Sequence, residues 1–110
     1  MAQNFRRYTS NNVGTVAATI MTANSYDAVV GISLSNVHTS AINVSCYIND
    51  VSNDIYLVKD APLPVGSSLQ VLDGGAKLVL DGTTSDALKV VSDTASSCDV
   101  WVSAVDDIST

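Results

Sequence analysis

His38, the single histidine, is the residue best suited to act as a general base or a metal ligand. It follows Asn36-Val37 in a predicted loop, and the sequence has no HxxxH, HxH or CxxC spacing that would supply partners. A Ser/His/Asp order, a phosphate-binding loop and a paired-carboxylate motif are also missing from the sequence. We therefore expect His38 to be a surface loop residue, and the protein to be no enzyme and to hold no cofactor or metal.

The two cysteines, Cys46 and Cys98, each fall in a row of alternating apolar residues. Their thiols could form a disulfide if the two strands pack across a sandwich, as in immunoglobulin domains. However, the opening MAQNFRR has no apolar segment after its arginines and does not have the pattern of a secretory signal. We therefore expect synthesis in a cytoplasm and two reduced thiols buried in the core.

Every acidic residue of the chain is an aspartate. Six of them flank predicted turns, namely Asp50, Asp54, Asp60, Asp73, Asp81 and Asp86. Calcium sites use such residues, but the EF-hand pattern is missing, so we expect these aspartates to form turns and to solubilise the surface. The net charge of −6 argues against a nucleic-acid partner. No apolar run approaches the ~18 residues of a membrane span, so we expect no membrane partner.

The composition favours strands joined by tight turns. Hydrophobic residues make up 46% and charged residues 15%, Glu is missing, and Val and Thr are abundant. We predict one all-β domain over residues 13–110, an antiparallel β-sandwich, jelly roll or small barrel. Eight short strands are predicted at Val13–Met21, Ala28–Ser35, Ile42–Asn49, Ile55–Lys59, Ser68–Leu72, Lys77–Leu80, Leu88–Ser92 and Cys98–Val105. A single helical turn is expected near Ser85-Asp86.

Two predicted strands alternate apolar and polar residues clearly, over 42–49 and 98–105. This pattern is typical of antiparallel sheets with one buried face and one wet face. In the second strand, however, the wet row includes Trp101 and Val105. A neighbouring protein could cover these apolar groups, or a loop of the same chain could half-cover the Trp101 ring.

The first twelve residues combine cations and rings in a segment that looks too polar to fold by itself. They include Phe5, Arg6, Arg7 and Tyr8 and no acids, whereas residues 13–110 hold three lysines and eleven aspartates. We predict that residues 1–12 form an extended arm that leaves its domain and docks on an adjacent protein through its rings and arginines. The alternative is a disordered terminus.

Four segments of the chain resemble small virion structural proteins of tailed bacteriophages, particularly those infecting cyanobacteria. They are NFRRYTSNNVGT at 4–15, VVGISLSN at 29–36, DIYLVKDAPLPVGSSL at 54–69 and SSCDVWVS at 96–103. The resemblance covers nearly the whole chain. It implies a β-sandwich subunit repeated in a particle, located in the virion after assembly in the host cytoplasm, and it brings no catalytic residues.

Three functions remain open from the sequence. The first is a capsid cement or decoration protein that stabilises the head by bridging neighbouring subunits. The second is a neck, tail, baseplate or fibre-attachment component of the same virion. The third is a carbohydrate-binding module that uses Tyr26, Tyr47, Tyr56 and Trp101. As partners we expect copies of the same chain, as a trimer, and the major capsid protein or another virion protein. The expected interface residues are Phe5, Arg6, Arg7, Tyr8, Trp101 and Val105.

Overall fold

A computed structural model describes residues 4–23, 26–72 and 77–109. Within these residues the chain forms nine strands and one turn of 3-10 helix. The strands are β1 (Asn4–Val13), β2 (Ala18–Thr22), β3 (Tyr26–Asn36), β4 (Ile42–Asp50), β5 (Asn53–Leu63), β6 (Ser68–Gln70), β7 (Leu78–Leu80), β8 (Ala87–Ser92) and β9 (Cys98–Ser109). No helix in this part of the chain is long and apolar enough to cross a membrane.

The strands form two antiparallel sheets that pack into a sandwich, which confirms the predicted all-β fold. The five-stranded sheet has the order β1-β9-β3-β6, and β7 also pairs with β3. The four-stranded sheet has the order β2-β8-β4-β5. Each strand pair is antiparallel, and long-range pairing dominates, since β1 is joined to β9 at the opposite end of the sequence.

Seven of the eight predicted strands overlap strands β3 to β9, but the first prediction, Val13–Met21, is wrong as one strand. Val13 ends β1 in the five-stranded sheet, and Ala18 begins β2 in the four-stranded sheet. Between them the chain crosses from one sheet to the other. Gly14 makes this crossing close to the backbone of a neighbouring turn, where an added Cβ would lie 3.1 Å from the Ser96 nitrogen and 3.2 Å from the Ala95 Cα.

Both alternating rows predicted from the sequence lie in the core between the sheets. The inner row of β4 consists of Ile42, Val44, Cys46 and Ile48. The inner row of β9 consists of Cys98, Val100, Val102 and Ala104. Fully burying a Val, Leu or Ile side chain is worth ~1.5–3 kcal/mol, so these rows fix the strand register.

Aspartates stabilise turns, as the sequence predicted. Asp81 caps the 3-10 turn Gly82–Thr84, and its carboxylate accepts hydrogen bonds from the Thr83 backbone nitrogen at 2.8 Å and from the Thr83 hydroxyl at 2.7 Å. These bonds lower the pKa of Asp81. The helical turn expected near Ser85-Asp86 therefore lies slightly earlier, and Ser85 ends it in the left-handed conformation with φ 51°. Asp73 lies outside the described residues.

The N-terminal segment differs from the expected free arm. Residues 4–13 are extended, but they form β1 and pair with β9 of the same chain from Asn4↔Asp106 to Ser10↔Val100. In the single chain this segment therefore belongs to the sandwich. Tyr8 reaches the core side, and the register shift between Ser10 and Val13 brings Val13 to the same side, while the edge of β9 gains hydrogen-bonded partners. Residues 1–3 lie outside the described residues.

Truncating a side chain at the centre of the four-stranded sheet should destabilise the fold strongly. Leu88 on β8 is fully buried, and Leu88→Ala removes its packing and leaves a cavity. We expect the free energy of unfolding, measured by urea denaturation, to fall by ~2–5 kcal/mol. The control Val16→Ala changes a side chain that is 82% exposed and should shift it by less than ~0.5 kcal/mol. Equal effects of the two substitutions would contradict this packing.

Candidate assembly surface

The alternation of β1 sends its cations and rings to opposite faces of the five-stranded sheet. Phe5 pairs with Val105, Arg7 with Ser103 and Thr9 with Trp101, so these residues share the outer face. Arg6 pairs with Ala104 and Tyr8 with Val102, so this second group faces the other sheet. The predicted interface residues therefore separate into an inner pair, Arg6 and Tyr8, and an outer group.

The inner pair links β1 to β9 by contacts with the carboxylate of Asp106. The Tyr8 hydroxyl donates a hydrogen bond to Oδ2 of Asp106 at 2.8 Å, and Nε of Arg6 lies 3.1 Å from the same oxygen. Burial, and then the hydrogen bond to Asp106, raises the pKa of Tyr8 to about 12. Because the Arg6 side chain is largely exposed, its ion pair adds only ~0–1 kcal/mol. These two residues thus hold the strand within the chain.

The outer group leaves large apolar side chains in solvent. Phe5 is 82% exposed and Trp101 is 51% exposed. The guanidinium of Arg7 lies 5.3 Å from the centroid of the Trp101 ring, at the distance of a cation–π contact. Rings and arginines of this kind carry much of the binding energy in protein interfaces.

Val105 does not belong to the exposed row, contrary to the sequence analysis. It is 8% exposed, although it lies on the same outer face as Trp101. The reason is its position on a central strand, where its cross-strand partners Phe5 and Ala28 flank it on the two sides. A neighbouring protein is therefore not needed to cover Val105, whereas half of the Trp101 side chain stays uncovered by its own chain.

Two further valines extend the apolar outer face, and sequence reasoning missed them. Val79 on β7 pairs with Ala28 and is 60% exposed. Val30 sits at the register shift between Val29 and Gly31 and is also exposed. The signal for Val79 was present, because it alternates with Leu78 and Leu80, but a three-residue strand is too short to show a period.

A shallow groove of about 440 Å³ runs beside Trp101 on this face. Its walls combine the ring with hydroxyl, amide and charged groups, from Arg7, Thr9, Ser10, Asn11, Ser33, Ser35, Asp99, Val100 and Trp101. Asp99 also accepts a hydrogen bond from the Asn12 backbone nitrogen at 2.9 Å, which ties the end of β1 to β9. Apart from Trp101 and Val100, the lining residues are polar or charged.

The other rings named from the sequence do not join Trp101 in one platform. Tyr47 and Tyr56 are cross-strand partners in the four-stranded sheet, with ring centroids 4.9 Å apart. The Lys59 ammonium lies 5.0 Å from the centroid of the Tyr56 ring. Tyr26 and Trp101 belong to β3 and β9 of the five-stranded sheet. The four rings are thus divided between the two sheets.

The groups able to do chemistry are scattered. His38 lies in the loop after β3, where its backbone nitrogen donates to the Asn36 side-chain oxygen at 2.8 Å. Cys46 and Cys98 are free and buried, in opposite sheets. Burial raises the pKa of the Cys46 thiol to about 12 and that of the Cys98 thiol to about 11. Within residues 4–23, 26–72 and 77–109, no three His, Cys or Asp side chains are grouped so as to hold a metal ion.

The two thiols should be unreactive in the native protein. Burial hides both sulfur atoms, and their raised pKa values leave almost no reactive thiolate at neutral pH. We expect a thiol reagent to modify neither cysteine quickly in the folded protein and both cysteines after denaturation without reductant. A count of zero free thiols in the denatured, unreduced protein would mean a disulfide.

The burial of Tyr8, together with its hydrogen bond to Asp106, should give the stability an alkaline limit. Because the pKa of Tyr8 is raised from 10.0 to about 12, the folded state holds this proton more tightly than the unfolded chain. The associated stability is fully present below pH 10 and is lost as the pH rises through about 12. We expect urea unfolding to show a steeper alkaline loss of stability for the wild type than for Tyr8→Phe. Parallel pH profiles for the two proteins would contradict the assignment.

The comparisons with known proteins concern the fold. No protein-family model matches the chain, and no curated protein matches it. A solved chain of the Bacillus endospore appendages, described as a novel family of disulfide-linked pili, is similar with a TM-score of 0.54 and 15% identity, over 94% of this chain and 84% of that one. A chain of the T13 IBDV viral particle is similar with a TM-score of 0.50 and 14% identity, over 94% of this chain but 31% of that one. At these identities the chain shares a β-sandwich fold with both.

Proposed function

We propose that this protein is a non-enzymatic structural subunit of a bacteriophage virion, and that it cements or decorates the capsid by bridging neighbouring subunits. The observation that carries the proposal is the apolar outer face of the five-stranded sheet. There Phe5, Trp101 and Val79 are each more than half exposed on one surface of a small domain. Such a surface is typical of a site that a partner covers.

The energetics of this face favour assembly. Fully covering a large apolar side chain is worth ~1.5–3 kcal/mol, so a few residues per subunit supply substantial binding energy. The Arg7 guanidinium, already seated on the Trp101 ring, adds a cation that a partner carbonyl or carboxylate accepts. Copies of the same chain, arranged as a trimer, are the first partner that we propose, and the major capsid protein or another virion protein is the second.

The sequence resemblance to phage virion proteins supports the proposed role of a virion subunit. Three of its four segments, at 4–15, 29–36 and 96–103, overlap β1, β3 and β9, which are adjacent in the five-stranded sheet. The fourth and longest segment, 54–69, covers most of β5 in the four-stranded sheet and reaches β6, so the resemblance extends over both sheets. The pilus and viral-particle chains with a similar fold add that this sandwich occurs in assembled structures.

One observation favours the carbohydrate-binding alternative. The groove beside Trp101 places hydroxyl, amide and carboxylate groups next to an exposed ring, and its volume of about 440 Å³ is in the range of small-ligand sites. A sugar would need both the ring and the polar groups. The groove lies on the face proposed for assembly, so experiment must separate the two functions.

Replacing the two exposed rings should abolish assembly while the fold remains. We expect Phe5→Ser with Trp101→Ser to reduce the mass of the purified protein in multi-angle light scattering from a trimer to a monomer. The same variant should be lost from purified particles, where quantitative mass spectrometry compares this chain with the major capsid protein. The physical reason is the loss of the apolar area that a partner would bury.

The matched control is Val16→Ser with Val65→Ser, since these valines are 82% and 55% exposed, close to the values for Phe5 and Trp101. The control should assemble like the wild type. The proposal would be overturned if the wild-type protein is a monomer in solution and is also absent from purified particles. A few copies per particle would favour a neck, tail or baseplate location, and glycan binding that Trp101→Ser removes would favour the carbohydrate-binding alternative.

A further inference from the structure

We infer that β1 is exchanged between copies, so that β1 of one molecule pairs with β9 of its neighbour in the assembly. This inference rests on the self-association proposed above and names the element that performs it. The occupant of the β9 edge is then a second copy of this chain. In the single chain β1 closes on its own β9, and in the assembly it makes the same contacts across a subunit boundary.

The first argument is that most of β1 lies outside the core. Residues 5–12 are exposed or half-buried, and among them Tyr8 is the residue that packs against the core cluster. Full burial begins at Val13, which is 3% exposed. The sandwich therefore keeps almost all of its core when residues 4–11 leave, while the edge of β9 loses its partner and must regain one.

The second argument is a hinge between β1 and the body. Asn12 has a left-handed backbone with φ 55°, and the β1–β9 register shifts between Ser10 and Val13. Asparagine is among the residues that tolerate this conformation, which suits a position where the chain changes direction.

Beyond the hinge the chain is held to the body by two backbone hydrogen bonds. The Ser97 nitrogen donates to the Val13 oxygen at 3.0 Å, and the Ser92 nitrogen donates to the Gly14 oxygen at 2.9 Å. A rotation about Asn12 therefore redirects residues 4–11 without disturbing Val13. Those eight residues span ~27 Å when extended, which is about twice the 13.7 Å radius of gyration of the protein.

The third argument is that exchange conserves the β1–β9 contacts made by residues 4–10. Tyr8 and Arg6 bind Asp106, and Arg7 stacks on Trp101. Each of these contacts joins β1 to β9, and each forms equally well when the two strands come from different molecules. Exchange therefore costs little contact energy, as in other exchanges of identical elements.

The charge distribution favours the binding of β1 to a second copy of the chain. Residues 1–12 carry two arginines and no acids, giving +2, whereas residues 13–110 carry three lysines and eleven aspartates, giving −8. The receiving strand β9 contributes Asp99 and Asp106, both already engaged by β1. A basic strand thus meets an acidic body, which speeds association between copies and suppresses pairing of like segments.

The test uses cysteines at a pair of cross-strand partners, Arg7 and Ser103. Two single variants, Arg7→Cys and Ser103→Cys, are mixed in denaturant, refolded together and oxidised. Each variant carries one new thiol, so an Arg7→Cys to Ser103→Cys disulfide forms only between molecules. On a non-reducing gel we expect a band at twice the 11.4 kDa monomer mass, with the 7–103 link identified by mass spectrometry.

The control pair is Asn49 and Asp54, partners at the hairpin end of β4 and β5, where the short connection prevents exchange. Mixed Asn49→Cys and Asp54→Cys variants should give no 49–54 link. The inference is overturned if the Arg7→Cys/Ser103→Cys double variant links only within one chain while the protein is assembled. In that result the proposed function still stands, whereas a monomeric wild type with no link between molecules removes both.

Discussion

The five-stranded sheet depends on β9, because β1 and β3 both pair with it and its inner row enters the core. Because successive side chains of a strand point to opposite faces of the sheet, this arrangement allows no shift of register. A slip of one residue would place Trp101 between the sheets and expose Val100 and Val102, which are almost fully buried. Burial of the inner row therefore fixes the outer row as well. The exposed ring of Trp101 is a consequence of the register that the core requires.

The two outer faces of the sandwich differ in how their rings are covered. On the four-stranded sheet, Tyr47 is 8% exposed beneath Tyr56, whereas Tyr56 is 42% exposed and Lys59 lies over its ring. On the five-stranded sheet, Phe5 and Trp101 remain open to solvent with a single arginine over one of them. Each face thus has one partly exposed ring under a cation, and the five-stranded sheet adds Phe5, which is 82% exposed. Among the described residues, the most exposed ring, Phe5, therefore lies on the five-stranded sheet.

Much of the fold was predictable because its signals are local. Alternation over 42–49 and 98–105 identified the core rows, and turn residues such as Asp81 marked where strands end. The role of residues 4–13 was not predictable in this way, because their partner β9 lies about ninety residues further along the chain. Composition alone makes this segment look like a tail, and only the pairing shows that its polar residues sit on an edge strand.

The candidate surface was predicted only in part, because it also depends on residues that are distant in the sequence. Phe5 and Trp101 were found from residue type and alternation, and both are exposed on one face. Val105 shows the limit, because its exposure depends on Phe5 and Ala28, which come from two other strands. Whether an outward residue is covered is decided by its neighbours across the sheet, and a single sequence does not contain that information.

The edges of the two sheets add a constraint on how copies can meet. Edge strands β2, β6 and β7 are five, three and three residues long, and β5 is interrupted by the left-handed Asp60 and by Pro62. Short or interrupted edges resist pairing with other chains. By contrast, β1 keeps a continuous register from Asn4 to Ser10 and has no proline. The longest uninterrupted edge strand is therefore also the strand that carries Phe5 and Arg7.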